Sequence, residues 1–432
     1  MRRQTFLATH AAAYNTFNVQ RHLIRRTTLR LYRAEADRMS AAATAAIAAR
    51  QPWAAGTLWR SVERRVYRSR GRGLLDLART MTRGARMLCA AVLGILCAGL
   101  EMPAIAKPGV VAFYVPWDAA GRIDLAAHMS AVNVFAPFWI ALKTPDGLPT
   151  VTSDDDTSAL ITNARSAPMV MPVVANAHDG IWDGATADAV IARPESRAAL
   201  IAALTKLASE KKYSGYVFDM ENLSPASVAA LPQFVSAVQA AFAPAHLETW
   251  LTVPLGSADW PIRALQDAGA TVVLMAYDQC WANSTPGPIA ADDWFGPTLA
   301  ARMQGLDASK TVIALGNYAY DWPKGMRAKV LSVDQAMQLA HDNRATVSRT
   351  APQWNPIFTY SAPDGVPHVV WMLDGATFSR QWATASRYSV KGIALWRLGL
   401  EDAAMWKATP SAPIRATAAQ VPSPVCSLLP AP

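Results

Sequence analysis

Cysteine and histidine are scarce in this chain of 432 residues, with four of the first and seven of the second. Cys89 and Cys97 share one apolar run, Cys280 lies in the body and Cys426 in the final stretch. That distribution gives no disulfide framework, and Cys426 is expected to be unpaired or loosely paired. No cysteine or histidine spacing matches a zinc site, so no metal is expected. No Gly-rich loop follows any candidate strand, which removes the usual phosphate cradle of nucleotide and dinucleotide binding. The apolar run Met87–Leu100 is short of the roughly 20 residues that a membrane span needs.

An excess of basic residues is also missing from most of the chain, although the formal net charge is +9. Residues 1–86 hold 18 arginines, no lysine and four acids (Glu35, Asp37, Glu63, Asp76), a net of +14. Residues 107–432 hold 23 basic residues against 27 acids, a net of −4. The basicity belongs to the leader, and the body has no electrostatic reason to bind nucleic acid.

Arg83 and Arg86, the run Met87–Leu100 and the terminal Ala104-Ile-Ala106 make the charged flank, apolar centre and cleavage site of a secretory signal. Cleavage after Ala106 is expected, giving a secreted or periplasmic protein. The alternative is an uncleaved inner-membrane anchor, with transient membrane contact through residues 87–106. Leu88 and Leu96 precede the two cysteines where a lipoprotein signal needs a small residue, so no lipid anchor is expected. Met81 makes a suitable start for a signal over 81–106. Upstream, residues 12–36 resemble the C-terminal end of a bacterial insertion-sequence transposase, without any catalytic motif. The resemblance implies that residues 1–80 are a mobile-element remnant or follow a misplaced start. The alternative is a genuine Arg-rich cytoplasmic segment.

From Gly109 onward, short apolar runs alternate with helical patterns. The runs cover 110–115, 131–138, 169–175, 215–220, 247–253, 271–277, 311–316 and 392–396. Near-continuous apolar runs of this length indicate strands buried on both faces, hence a parallel sheet. Between them, Leu200, Ile201, Leu204 and Leu207 share a helical face, and Phe234, Val238, Ala241 and Phe242 share another. Ser224-Pro225 suits an N-cap followed by proline at the first helical position. The expectation is an α/β fold, a (β/α)8 TIM barrel over 107–407. The alternative is a doubly wound open sheet. Between strands seven and eight, residues 356–360, Pro363-Asp-Gly365 and 368–372 read as an inserted β-hairpin, followed by a helix over 376–387. Residues 408–432, rich in Pro, Ala and Ser, are expected to be a disordered tail.

Active sites of such barrels lie at the C-terminal ends of the strands. Strand four ends in Asp219-Met-Glu221. Strand side chains alternate faces, so both acids point one way, a costly arrangement unless something uses or pairs them. Other strand ends carry Tyr114, Trp139, Asn176, His178, Asp179, Trp182, Tyr277-Asp278, Trp281, Asn317, Tyr318, Tyr320, Trp322 and Trp396. Aromatic faces with a few carboxylates and amides suit a sugar. Taken singly, each of these features has a plain structural reading; their shared position at one end of the strands is what distinguishes them.

Residues 109–407 resemble glycoside hydrolase family 18, the chitinase-like barrels. The strand-four motif reads Ser214-Gly-Tyr-Val-Phe-Asp219-Met-Glu221, the strand-six motif Met275-Ala-Tyr277-Asp278, and the last Gly392-Ile-Ala-Leu-Trp396 with Gly399-Leu-Glu401-Asp402. Val370-Trp371 before Asp374 also fits. Ser214 and Val217 stand where the family signature often has aspartates. The resemblance implies Glu221 as general acid, Asp219 and Tyr277 on the substrate's acetamide, and Trp396 as the subsite floor. Asp278 would bind a hydroxyl, with Tyr114, Trp139, Asn317 and Trp281 as further sugar contacts. It implies no metal or cofactor, an N-acetylated glycan as partner and a monomer. The alternative function is a non-catalytic glycan-binding barrel in exopolysaccharide or cell-wall processes. Mass spectrometry of the exported protein is expected to find an N-terminus at Lys107; peptides from residues 1–80 would overturn that reading.

Overall fold

The computed structural model describes residues 109–152, 154–178, 180–407 and 426–429. The Arg-rich leader, the 81–106 segment, Asp179 and most of the tail lie outside the described residues. The apolar runs become strands β1 (Gly109–Tyr114), β2 (Val134–Pro137) and β3 (Ile140–Leu142), with β4 (Pro149–Val151) folding back on β3. Then come β5 (Met169–Val170), β6 (Val173–Ala175), a small hairpin of β7 (Ala177–His178) and β8 (Ile181–Trp182), and β9 (Gly215–Asp219). The remaining strands are β10 (Glu248–Pro254), β11 (Thr271–Met275), β12 (Thr311–Gly316), β13 (Ala319–Pro323), β14 (Lys329–Leu331), β15 (Ile357–Ser361), β16 (Pro367–Met372) and β17 (Gly392–Trp396).

Parallel pairing runs from β6 through β9, β10, β11, β12, β17 and β1 to β2. The run 169–175 then completes the ring, because β5 pairs with β2 while β6 pairs with β3 and β9. The result is a TIM-like barrel. One of the expected strands, 169–175, is broken in two. Pro172 has no N–H to give and separates β5 from β6, yet its carbonyl still accepts from Val217 at 3.1 Å. Gly215 starts β9 at φ +149, where a Cβ would lie 2.1 Å from the Glu248 carbonyl oxygen, so close strand pairing at the barrel foot requires glycine.

Side chains alternate between the barrel interior and the layer under the helices. On β9, Val217 faces the interior core while Tyr216 and Phe218 face the outer one. The helix Pro225–Phe242 starts as the sequence indicates, with the Ser224 hydroxyl accepting from the Ser227 N–H at 3.3 Å. It lays Leu231, Phe234, Val235, Val238 and Phe242 on the outer core.

Residues 357–372 form more than a hairpin: β14, β13, β16 and β15 make a four-stranded antiparallel sheet. One face presents Ala319, Phe358, Val370 and Met372 to the helix Val333–Asp342. The other turns Tyr320, Trp322 and Trp371 toward the barrel-interior core.

The expectation for the cysteines is corrected. Cys280 and Cys426 form a disulfide with Cα atoms 5.4 Å apart, across 146 residues of sequence. Part of the tail is therefore seated on the body. Thr285 N–H donates to the Ser427 carbonyl at 2.7 Å, and Leu429 N–H to that of Asn283 at 2.9 Å. A cross-link closing so long a loop restricts the unfolded chain. Cys426→Ser should lower stability by about 2–4 kcal/mol in denaturant unfolding under oxidising conditions, and reductant should remove the difference from wild type.

Candidate active site

Asp219 ends β9 and Glu221 follows two residues later, both at the C-terminal end of the barrel strands. Asp219 is only 3 % exposed. Its Oδ1 accepts from the Thr252 hydroxyl at 2.6 Å, across the β9–β10 pair. Burial pushes its pKa up to about 6, and the Thr252 hydrogen bond offsets part of that rise.

Glu221 is half-buried and lies just past the strand. Asn176 grips its backbone in both directions: the side-chain amide donates to the Glu221 carbonyl at 2.9 Å, and the amide oxygen accepts the Glu221 N–H at 3.0 Å. Burial first, then the negative charges of Asp219 and Asp278, hold the Glu221 carboxyl well above the ordinary glutamate range. A carboxyl kept protonated in this way can donate a proton near neutral pH.

Tyr277 projects inward from the end of β11. Burial and the surrounding carboxylates push its hydroxyl well above the usual phenol range, so it remains a hydrogen-bond donor. The ring stacks 6.2 Å from that of Trp396, at 20° between planes. Trp396 meets Phe113 and Phe138 edge-on at 5.6 and 5.4 Å. Asp278 turns the chain at φ +56, and its Oδ1 accepts from the hydroxyls of Tyr318 and Tyr320. The residue opens to solvent, so its carboxyl is closely surrounded rather than sealed. Its pKa is raised by the protein around it and lowered in part by the two tyrosines.

Asp219, Glu221, Tyr277, Asp278 and Trp396 are thus brought together. Trp281 is half-exposed in the loop after β11, its backbone N–H donating to the Ser284 hydroxyl at 3.0 Å. Three expected contacts are corrected, all for the same reason of strand alternation. Tyr114 points out of the barrel and donates to Asp154 at 2.9 Å. Trp139 packs outside, against Phe135 and Tyr213. Asn317 is buried, with its amide 3.6 Å from the Met405 sulfur. Their neighbours Phe113, Phe138 and Tyr318 occupy the interior side instead. Counting in twos from the apolar interior positions of each strand would have found them.

Asn176 also escaped notice as a support for Glu221, because its role is to bond backbone rather than substrate. On the near side, Trp182 of the β7–β8 hairpin packs on the interior core, and its carbonyl accepts from the Asn222 amide at 3.3 Å. His178 lies in the same hairpin, 3.5 Å from Asp183. Among the described residues no group of three His, Cys, Asp or Glu side chains is arranged to hold a metal ion.

No protein-family model matches the chain. It is 24% identical over 313 residues to the uncharacterized glycosylase YvbX of Bacillus subtilis (strain 168), covering 69% of this chain and 90% of that one. Its fold is similar to a chitinase from Chromobacterium violaceum ATCC 12472, with TM-score 0.63 and 25% identity over 70% of this chain and 97% of the other. It is also similar to the Bacillus cereus spore cortex-lytic enzyme SleL, with TM-score 0.63 and 19% identity over 70% and 74% of the two chains. These likenesses indicate a chitinase-like glycosidase.

The raised carboxyls carry a stability consequence. A folded-state pKa above the unfolded value means that the folded state holds its proton more tightly. Stability is then greatest below the ordinary carboxylate range and falls as pH rises through the folded pKa. Glu221→Gln and Asp219→Asn should therefore melt above wild type at pH 8, with the gap shrinking toward pH 4 in thermal scans.

Proposed function

We propose that this chain is a secreted glycoside hydrolase of the family 18 type, acting on β-linked N-acetylglucosamine-containing glycans. Glu221 is the general acid and base, and the substrate's own acetamide is the nucleophile. The observation that carries this reading is the half-buried Glu221 carboxyl, which shares the barrel mouth with Asp219, Asp278 and the stacked Tyr277–Trp396 pair and is raised by burial and the two aspartates well above the ordinary glutamate range.

In the first step the acetamide oxygen attacks the anomeric carbon and the glycosidic C–O bond breaks. The proton on Glu221 passes to the leaving oxygen. Asp219 lies beside the positive charge that develops on the acetamide nitrogen, and Tyr277 donates to the acetamide oxygen. In the second step the Glu221 carboxylate takes a proton from water, whose oxygen reopens the cyclic intermediate at the same carbon. Two inversions give net retention without a protein nucleophile, as in substrate-assisted glycosidases. The Trp396 face supplies an apolar floor for the sugar's C–H face.

Val217 favours a second reading. It occupies a position on β9 where many family 18 signatures carry a carboxylate, and a chain lacking it could bind glycan without cleaving it. The two readings separate in one experiment with residues 107–432 and a panel of N-acetylglucosamine polymers. Wild type should release oligosaccharides, and Glu221→Gln should lose about 10²–10⁴ in kcat while retaining glycan binding by calorimetry. Activity of wild type should fall as pH rises through the raised pKa of Glu221, because the acid form is the reactive one. Binding without any turnover by wild type would establish the second reading.

A further inference from the structure

We propose that Tyr318 and Tyr320 are positioning residues for the reaction, whose hydroxyls together fix one oxygen of Asp278 at the barrel mouth that it shares with Glu221. The inference rests on the proposed role of Glu221 and names groups which that role does not require.

Both hydroxyls reach the same atom, Asp278 Oδ1, the Tyr320 bond being 3.1 Å. Among the described residues no protein donor is recorded at Oδ2. A carboxylate with one oxygen doubly bonded and the other open is fixed in rotation and still able to accept from a ligand. The tyrosines are fixed in turn. Their rings pack edge-on at 5.1 Å, Tyr318 meets Tyr277 at 6.1 Å, and Tyr320 meets Trp322 at 5.1 Å. The Trp322 indole N–H donates to the Ser284 carbonyl at 3.0 Å. Tyr320 belongs to β13, one of the two inner strands of the four-stranded sheet, and pairs there with Trp371 of β16. That sheet therefore delivers one of the two donors, Tyr320, while Tyr318 stands one residue before β13.

The charged neighbourhood gives these donors their effect. The groups facing Asp278 are Glu221 after β9, Tyr277 on its own element, and the two tyrosines following β12. Among the described residues no cationic side chain contributes to the titration of Asp219, Glu221 or Asp278. The charge on Asp278 is supported by neutral hydroxyls, and that charge raises the proton affinity of Glu221. Losing the hydroxyls makes Asp278 easier to protonate, which weakens the hold on the Glu221 proton. The effect on Glu221 passes entirely through Asp278.

The test uses Tyr318→Phe, Tyr320→Phe and the double variant, each alone and with Asp278→Asn. Phenylalanine keeps the ring packing and removes only the hydroxyl. Glu221 is followed by carbon-13 NMR of labelled glutamate carboxyls in the ligand-free protein, a readout independent of turnover. Each hydroxyl deletion should move the Glu221 titration to lower pH, with no further movement in the Asp278→Asn background. In parallel, the basic limb of kcat should move the same way, and kcat should fall roughly 10- to 100-fold through lost positioning. An unmoved Glu221 titration, or an equal shift with and without the Asp278 carboxylate, would overturn the proposal. If no glycan is cleaved by wild type, the assignment of Glu221 as acid fails while the NMR arm still decides the role of the tyrosines.

Discussion

Three carboxyl groups share the C-terminal mouth of this barrel, and among the described residues no cation is one of the charges that shift them. Like charges removed from water cannot all ionise cheaply. The proton itself becomes the counter-charge, and the best-shielded of the half-open groups, Glu221, keeps it. Much of the surrounding structure can be understood as holding this unfavourable cluster in place. An ion pair with lysine or arginine would have relieved the strain and ended the usefulness of Glu221 as an acid. Neutral hydrogen bonds fix the positions of the acids while leaving their charges to act on one another.

Each acid has its own neutral brace from a different element. Thr252 on β10 holds Asp219, Asn176 after β6 holds the backbone of Glu221, and Tyr318 and Tyr320 hold Asp278. Rings then join these braces across the mouth: Phe138 and Phe113 to Trp396, Trp396 to Tyr277, Tyr277 to Tyr318, and on to Tyr320 and Trp322. The loop after β11 backs this chain. Ser284 receives Trp322, and the Cys280–Cys426 bridge anchors the same loop to residues 426–429. Sites built on rigid elements and supported from behind keep their geometry during the reaction.

The order of the barrel was legible because long apolar runs separated by amphipathic stretches have few other solutions. The acids were legible because a spacing of two on a strand fixes a common face. The same rule, left unapplied at Tyr114 and Trp139, produced errors of one residue. A tyrosine or tryptophan at a strand end attracts attention by its chemistry, but Phe113 and Phe138 have the parity that faces the interior. The disulfide was not legible for a different reason. Its partners are 146 residues apart, and a Pro/Ala-rich stretch precedes Cys426. Local pattern carries no information about which distant loop such a tail will meet. The four-stranded sheet was seen only as its hairpin, since β13 continues almost directly from β12 and β14 has three residues.

Val217 shows how one departure from a family pattern acts through burial. It is fully buried in the barrel interior, in register with Val173 on one side and Trp250 on the other. A carboxyl in that place would sit against two apolar neighbours, two residues before Asp219 on the same strand face. It could ionise only at great expense and would share a proton with Asp219. With valine there, Asp219 has no carboxyl partner deeper in the barrel. Its titration is set by burial and Thr252, and its charge acts upward on Glu221. The reactive couple is thereby confined to the rim, where Asp219 and Asp278 together raise the proton affinity of Glu221 without a carboxyl below them.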